Sequence, residues 1–316
     1  MTDDTQDQKP PKLTPVQRRA LDIGIDILMY PPEDIAYQHT VFCQTCLPYR
    51  DPGDEVREWK RQQGQVFLLI EAGQAYDPAR HDYVKVGLPF GPKARLILAH
   101  LNGEALRQGS PAVEVESTLT AFVRRIQDPL KAGRAPTGPE IRKFKEQLLR
   151  LSVSTVRLAA ASESRMLQVN SQIVGALDLW AAKEDGQPAA WPSIIRLSDD
   201  YFASLAKHAV PLDERALAAL AHSAMGLDVY TWLAQRLHRV PANRPQFISW
   251  AALKAQFGQG YKELKFFRRV FIQALRLVHG QYQTANFEIG PLGMRLFHSM
   301  PPVPPRGFVV KKPSQE

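Results

Sequence analysis

The sequence predicts an α+β chain in which one supersecondary unit occurs twice, and three observations carry that reading. The first is the stretch YKELKFFRRVFIQALRLVH, Tyr261 to His279, a helix with two unlike faces. At about 100° per residue, Leu264, Phe267, Phe271, Ala274, Leu275 and Val278 share one apolar arc. Lys262, Lys265, Arg269 and Arg276 gather opposite, with Arg268 at the edge. The second is what flanks this helix. Ser249 caps a short helix over Trp250–Phe257, Gly258-Gln259-Gly260 forms the connection, and a hairpin follows over Gln283–Ile289 and Met294–His298, turning at Gly290-Pro291-Leu292-Gly293. The third is that the same order of helix, turn, basic helix and hairpin occurs earlier, between Ser117 and Val174. That order is the winged helix-turn-helix, so the predicted fold is a tandem winged-helix chain.

Taken in order, residues 1 to about 15 read as a disordered arm, and Val16–Met29 as a helix with Leu21, Ile25 and Leu28 on its core side. Pro31-Pro32 stops it. Gln65–Glu71 and Tyr83–Val86 are β-branched and apolar enough to be strands, with a turn region from Ala72 to Asp82 between them. Pro92–Arg107 is a helix with a stripe at Leu96, Ile97, Leu101 and Leu106. In the first repeated unit, Ser117 caps a helix with Leu119, Phe122, Val123 and Ile126 inward. Thr137 and Glu140 form a capping box for a helix to about Leu151, with Ile141, Phe144, Leu148 and Leu151 as its stripe. Arg142, Lys143, Lys145 and Arg150 lie off that stripe. The hairpin strands are Val153–Ala160, which carries Arg157, and Met166–Val174.

A charged, Gly/Pro-bearing linker at 181–192 divides a first domain, 31–180, from a second, 193–300, and a Pro-rich tail ends the chain at 301–316. The second domain opens with a strand over Ser193–Leu197. Helices follow at Asp199–Lys207, capped by Ser198, from Asp213-Glu214 to about Ala221, and at Leu227–Leu237. An extended segment, Gln246–Ile248, leads into Ser249.

With 316 residues, 44% hydrophobic and 23% charged, the composition is that of a soluble globular protein of two ordinary domains. No apolar run is long enough to span a bilayer, and the acidic start MTDDTQDQ has no secretory h-region. Two cysteines make no disulfide framework, which fits a reducing cytoplasm. Net charge is +8, and it is focused. Between Arg236 and His279 stand nine basic residues against one acid, Glu263. Between Lys131 and Arg165 stand eight against three, so the rest of the chain is net acidic. Such focusing points to a polyphosphate partner, the alternative being two solvated helix faces.

Enzymatic motifs are missing. There is no GxxxxGK[ST] phosphate loop, no HExxH, no His-hydrophobic-His metal pair and no GxSxG elbow, so the expectation is a non-enzymatic protein without cofactor or metal. Cys43 and Cys46 form a CxxC near His39, but two buried small hydrophobes are the more common meaning of a lone CxxC. The five tryptophans read as core anchors.

From Leu47 onward the sequence carries a resemblance. LPYRDP, VREWKRQQGQVFLLIEAG and GLPFGPKARLILAHLNGEALR, then VEVESTLTAFVRRI, IRKFKEQLLRLSVSTVRL, SWAALKAQFG, FIQALRLV and LFHSMPPV, resemble the plasmid-encoded RepA replication initiators, relatives of the TrfA type. The run Gly87-Leu88-Pro89-Phe90-Gly91 with Ala94-Arg95-Leu96 is the most specific part, and the N-terminal arm matches nothing. The resemblance implies a protein that binds direct repeats (iterons) in a plasmid origin, helps open AT-rich duplex, and recruits the host initiator and replicative helicase. It also implies autorepression by a homodimer, with the first domain dimerising and gripping phosphates. On this view the protein works on double-stranded DNA in the cytoplasm, associated with the nucleoid or plasmid.

Sequence readout is assigned to the second unit: Lys262, Lys265, Arg268 and Arg269 lie early in its recognition helix, the part that reaches base edges, while Arg276 contacts phosphate. Arg142, Lys143, Lys145, Arg150 and Arg157 of the first unit are assigned to the backbone. Two other classes share every helix named here: a winged-helix transcription regulator without a replication role, and a protein-interaction module.

Overall fold

The computed structural model describes residues 14–77, 79–127, 135–162, 165–176 and 194–304. The expected arm up to residue 13, the linker at 181–192 and the last part of the tail lie outside them. Thr14 opens α1 (Pro15–Met29) with a capping box, accepting from the Gln17 N–H while its own N–H donates to Gln17 Oε1 at 2.9 Å. The helix packs opposite to expectation. Leu21, Ile25 and Leu28 are 53%, 52% and 61% exposed, and Ile23 and Gly24 are buried. Polar groups fix that choice: Gln281 and Gln283 donate to the Ala20 and Gly24 carbonyls, and Arg215 holds Asp26 at 2.7 Å. Gly24 permits the approach, since a Cβ there would stand 2.5 Å from the Gly280 carbonyl oxygen.

β1 (Ile35–His39) and α2 (Thr40–Gln44) come next, then two hairpins, β2 (Glu58–Gln63) with β3 (Val66–Glu71) and β4 (Gln74–Asp77) with β5 (Asp82–Lys85). β2 has too many charges, EWKRQQ, to show as a strand by pattern, and β4 falls where turn residues predict a loop. The first repeated unit is α3 (Gly91–Gln108), β6 (Ala112–Glu114), α4 (Leu119–Gln127), α5 (Gly138–Val153), β7 (Thr155–Ser162), β8 (Arg165–Gln172) and β9 (Val174–Ala176). Leu96, Ile97, Leu98 and Leu101 of α3 are at most 2% exposed, which makes it a central helix and not a one-sided one. α4 is capped by Thr118, which accepts from the Ala121 N–H at 3.1 Å, one residue later than expected. α5 has its capping box: the Thr137 N–H and hydroxyl both donate to Glu140 Oε2 at 2.7 Å.

The β2–β3 hairpin joins the β7–β8 hairpin into a four-stranded sheet, order β2-β3-β7-β8. β10 (Ile194–Leu197), expected to open the second unit, instead inserts between β6 and β9, because fully buried Ile195 and Leu197 complete that side of the core. α6 (Asp199–His208) is capped by Ser198 as expected, β11 (Ala209–Asp213) pairs antiparallel with β1, and Asp213 caps α7 (Glu214–Ala219).

The second unit is α8 (Ala224–Arg236), β12 (Gln246–Ser249), α9 (Trp250–Phe257), α10 (Leu264–His279), β13 (Phe287–Ile289) and β14 (Gly293–Leu296), with sheet order β12-β14-β13. α10 begins at Leu264, not Tyr261. Gly260 has φ of 88°, and the Tyr261 N–H closes a turn on the Gly258 carbonyl at 3.0 Å, which keeps 261–263 out of the helix. Of its expected apolar arc, Phe267, Phe271, Ala274, Leu275 and Val278 are at most 4% exposed, each large side chain contributing roughly 1.5–3 kcal/mol by burial. Leu264 is 43% exposed.

Two arginines tie the units together across one continuous core. Arg95 of α3 makes a two-pronged bond to Asp228 of α8, Nε to Oδ1 at 2.6 Å and Nη2 to Oδ2 at 2.7 Å, and also donates to the Leu47, Pro48 and Gly91 carbonyls. Arg61 of β2 donates to the Ala255 and Gln256 carbonyls at 2.7 and 2.5 Å, at the end of α9 where helix carbonyls lack intrahelical partners.

Two buried histidines make the fold acid-sensitive. His39 accepts the Val41 N–H at Nδ1 and meets Ser204 Oγ at Nε2, 3.0 Å away; burial, reinforced by His208, holds its pKa at about 3. His100 lies edge-on to Phe122, and burial, with Arg125 and Arg107 adding, sets its pKa at about 3. Unfolded, both titrate near 6.5, so the unfolded chain binds more protons across the window from 6.5 down to 3. Stability is full above that window and falls as pH drops through it. Between pH 7.5 and 5.5 the pair lowers unfolding free energy by roughly 2–3 kcal/mol. Urea melts at the two pH values measure this, and His100→Phe should halve the difference.

Candidate nucleic-acid interface

α10 buries one arc and turns Lys265, Phe266, Arg269, Gln273 and Arg276 to solvent. Among the described residues no acid pairs with Lys265, Arg269 or Arg276, so the positive charge on this face is uncompensated. Lys262 is exposed too, but it stands on the turn before the helix. Arg268 is half-buried, its guanidinium 5.0 Å from the centre of the Trp250 ring.

Trp250 organises the rest of the site. It is the first residue of α9, is 3% exposed and lies edge-on to Phe271 of α10. Its ring Nε1–H donates to the Gly290 carbonyl and its backbone N–H to the Leu292 carbonyl, both at 3.1 Å. The Gly290 N–H then closes the hairpin tip on the Gly293 carbonyl at 2.8 Å. One residue, through its ring and its backbone N–H, therefore positions the tip of the β13–β14 hairpin against the cationic helix. Gly293 is required here, because a Cβ would overlap the Ile248 carbonyl. Between tip and helix lies an open groove of about 530 Å³, lined by Trp250, Leu264, Lys265, Arg268, Arg269, Ile272 and Pro291.

The first unit is divided. Arg142 and Lys143 of α5 are exposed, and Lys145 is half-buried. Arg150 does not reach solvent as expected. It is 8% exposed, bonded to Glu146 at 2.9 Å, Asp51 at 3.3 Å and the Leu88 carbonyl at 3.1 Å, and stacked over Phe90. Its charge anchors the loops at 51 and 88. Arg157 is half-exposed on the four-stranded sheet and paired with Glu71 at 2.9 Å.

Charge counting missed two exposed residues of α10, Gln273 and Phe266. The helical spacing held the signal, since both lie beside the arc of Lys265, Arg269 and Arg276 and off the buried stripe.

Cys43 and Cys46 are 2% and 4% exposed, and burial, with Asp228 adding, pushes both thiols up. The Cys46 thiol donates to the Gln256 carbonyl and accepts from the Tyr49 hydroxyl. Among the described residues no three His, Cys, Asp or Glu side chains converge as a metal site, and no helix is long and apolar enough to cross a membrane.

The family model for the plasmid encoded RepA protein matches residues 88–252, more than half of the chain. The chain belongs to this family. The RepA match begins within the run Gly87–Gly91 and ends in α9, so α10 and its hairpin follow it. Among solved structures, a selenomethionine derivative of domains 2 and 3 of RctB is similar at TM-score 0.45 and 12% identity, covering 82% of this chain and 83% of that one. A second structure of RctB domains 2–3 gives TM-score 0.42 and 12% identity, covering 83% of each. No curated protein matches.

Proposed function

We propose that this RepA-family chain is a plasmid replication initiator that binds direct repeats (iterons) of the plasmid origin as double-stranded DNA. The observation that carries the reading is the uncompensated cationic face of α10 beside a rigidly braced hairpin tip. The second unit, α8-β12-α9-α10-β13-β14 with sheet order β12-β14-β13, is a winged helix-turn-helix in this reading, with α10 as recognition helix and β13–β14 as wing. The first unit is a variant in this reading: β6 pairs with β10 in a sheet with β9, and the β7–β8 hairpin pairs with β3 in another sheet. α10 reads bases through Lys265 and Arg269 with Arg268 and Lys262 at its entry, and Arg276 holds phosphate. Arg142, Lys143 and Lys145 grip backbone. Arg150 and Arg157, engaged with acids, act on fold and not on DNA.

The chemistry is binding, not catalysis: DNA held by both units is strained open at an adjoining AT-rich stretch, where the host initiator and replicative helicase are recruited. A homodimer represses the gene for the protein itself.

The test is binding of the full chain to a duplex carrying the direct repeats next to its gene, titrated with salt. The expected result is specific affinity that falls steeply with salt, by about 0.9 log unit per log unit of salt for each phosphate neutralised. Salt-independent or absent binding would overturn the proposal. Replication is checked separately, by whether the gene and those repeats sustain a plasmid that has no other origin. A regulator without a replication role would bind but fail this second assay.

A further inference from the structure

Gln273 is a neutral residue at the edge of the cationic face, next to Arg269. It lies one turn beyond Arg269 and three residues before Arg276, is exposed, and makes no hydrogen bond to any described residue. Nothing in the fold uses it: its neighbours Ala274 and Leu275 turn inward to the core, and it turns outward. Docked recognition helices reach base edges from positions spaced i, i+3, i+4 and i+7. Phe266, Arg269 and Gln273 occupy i, i+3 and i+7, and Val270, at i+4, is half-buried.

A glutamine amide presents one acceptor and a planar pair of donors. In the major groove that pattern matches adenine, whose N7 accepts and whose N6 amino group donates. Arginine or lysine in the same place would match guanine. An unengaged amide beside the cations would add a base preference that charge alone does not provide.

We propose that Gln273 is a specificity-determining residue of α10 that reads one adenine of the recognised duplex, Nε2–H donating to N7 and Oε1 accepting from N6–H. This rests on α10 being the helix that enters the major groove.

Full-length wild type and Gln273→Ala are each used to select duplexes from a random pool at one fixed salt concentration. Each adenine of the wild-type consensus duplex is then replaced in turn by 7-deazaadenine, which lacks the N7 acceptor. Wild type should lose roughly tenfold affinity at one adenine. Gln273→Ala should bind the unmodified duplex roughly tenfold more weakly, be indifferent to 7-deazaadenine at that position, and select duplexes with no base preference there. An unchanged 7-deazaadenine profile in Gln273→Ala would overturn the assignment and leave the DNA-binding reading standing. So would equal loss on unrelated duplexes, which would make Gln273 a backbone contact. If wild type itself selects no common sequence, the reading of α10 fails first, and the assignment of Gln273 fails with it.

Discussion

Lys265→Ala combined with Arg269→Ala should lower affinity for the origin repeats by about thirtyfold or more while leaving unfolding unchanged. Both side chains are exposed, and among the described residues neither is held by an acid, so the fold does not depend on them. Each bidentate contact to guanine O6 and N7 is worth roughly 1–3 kcal/mol against the wrong base, so the pair together accounts for about 2–6 kcal/mol. The loss should be confined to the repeat, because what disappears is base discrimination; residual binding should approach that of unrelated duplex. Arg142→Ala is the contrast: a backbone contact weakens all duplexes alike and reduces the salt slope by about one unit. A double variant that binds repeats as tightly as wild type at moderate salt rules out α10 as the reading helix.

Asp228→Ala should destabilise the chain by about 3–5 kcal/mol, the usual effect of leaving a buried charge without its partner. Arg95 and Asp228 are 5% and 6% exposed, and Arg95 has no route to water when the carboxylate is removed. Its remaining bonds to the Leu47, Pro48 and Gly91 carbonyls share its charge without neutralising it. The partner substitution separates pairing from packing. Arg95→Met with Asp228→Leu removes both charges and should recover most of the loss, since buried ion pairs are often replaceable by apolar residues of similar volume. Urea midpoints at neutral pH decide it: a single variant as stable as wild type would show that the pair contributes nothing to the stability of this fold.

What the sequence made legible follows from how local each interaction is. The buried side of α10 was legible because Phe267, Phe271, Ala274, Leu275 and Val278 obey a spacing that needs no knowledge of the partner surface. The α5 capping box and the Ser198, Asp213 and Ser249 caps close over two or three residues and were equally readable. Arg150 was not, because its fate is decided by Asp51, 99 residues earlier in the chain. The same holds for β10, whose four residues carry no mark of the strands that receive them. In α1 apolar residues occupy both faces, and only the distant Gln281, Gln283 and Arg215 select the inward one. Gln273 was not legible for another reason: a neutral side chain adds nothing to a charge pattern.

The bonds from Arg61 to the end of α9 and from Arg95 to Asp228 act together on geometry. Each joins the first unit, or the β2–β3 hairpin paired to it, to an element next to α10, and two separated fastenings leave little freedom to pivot. The protein is in that sense a ruler. Under the proposed function, the distance and helical phase between its two grips would be set by protein bonds before any duplex arrives, and a repeat would fit only when its contact points fall at that spacing. A change of one base pair in length rotates one set of contacts by about a tenth of a turn relative to the other. Repeat length would then be selected by the same arginines that hold the fold, without their touching a base.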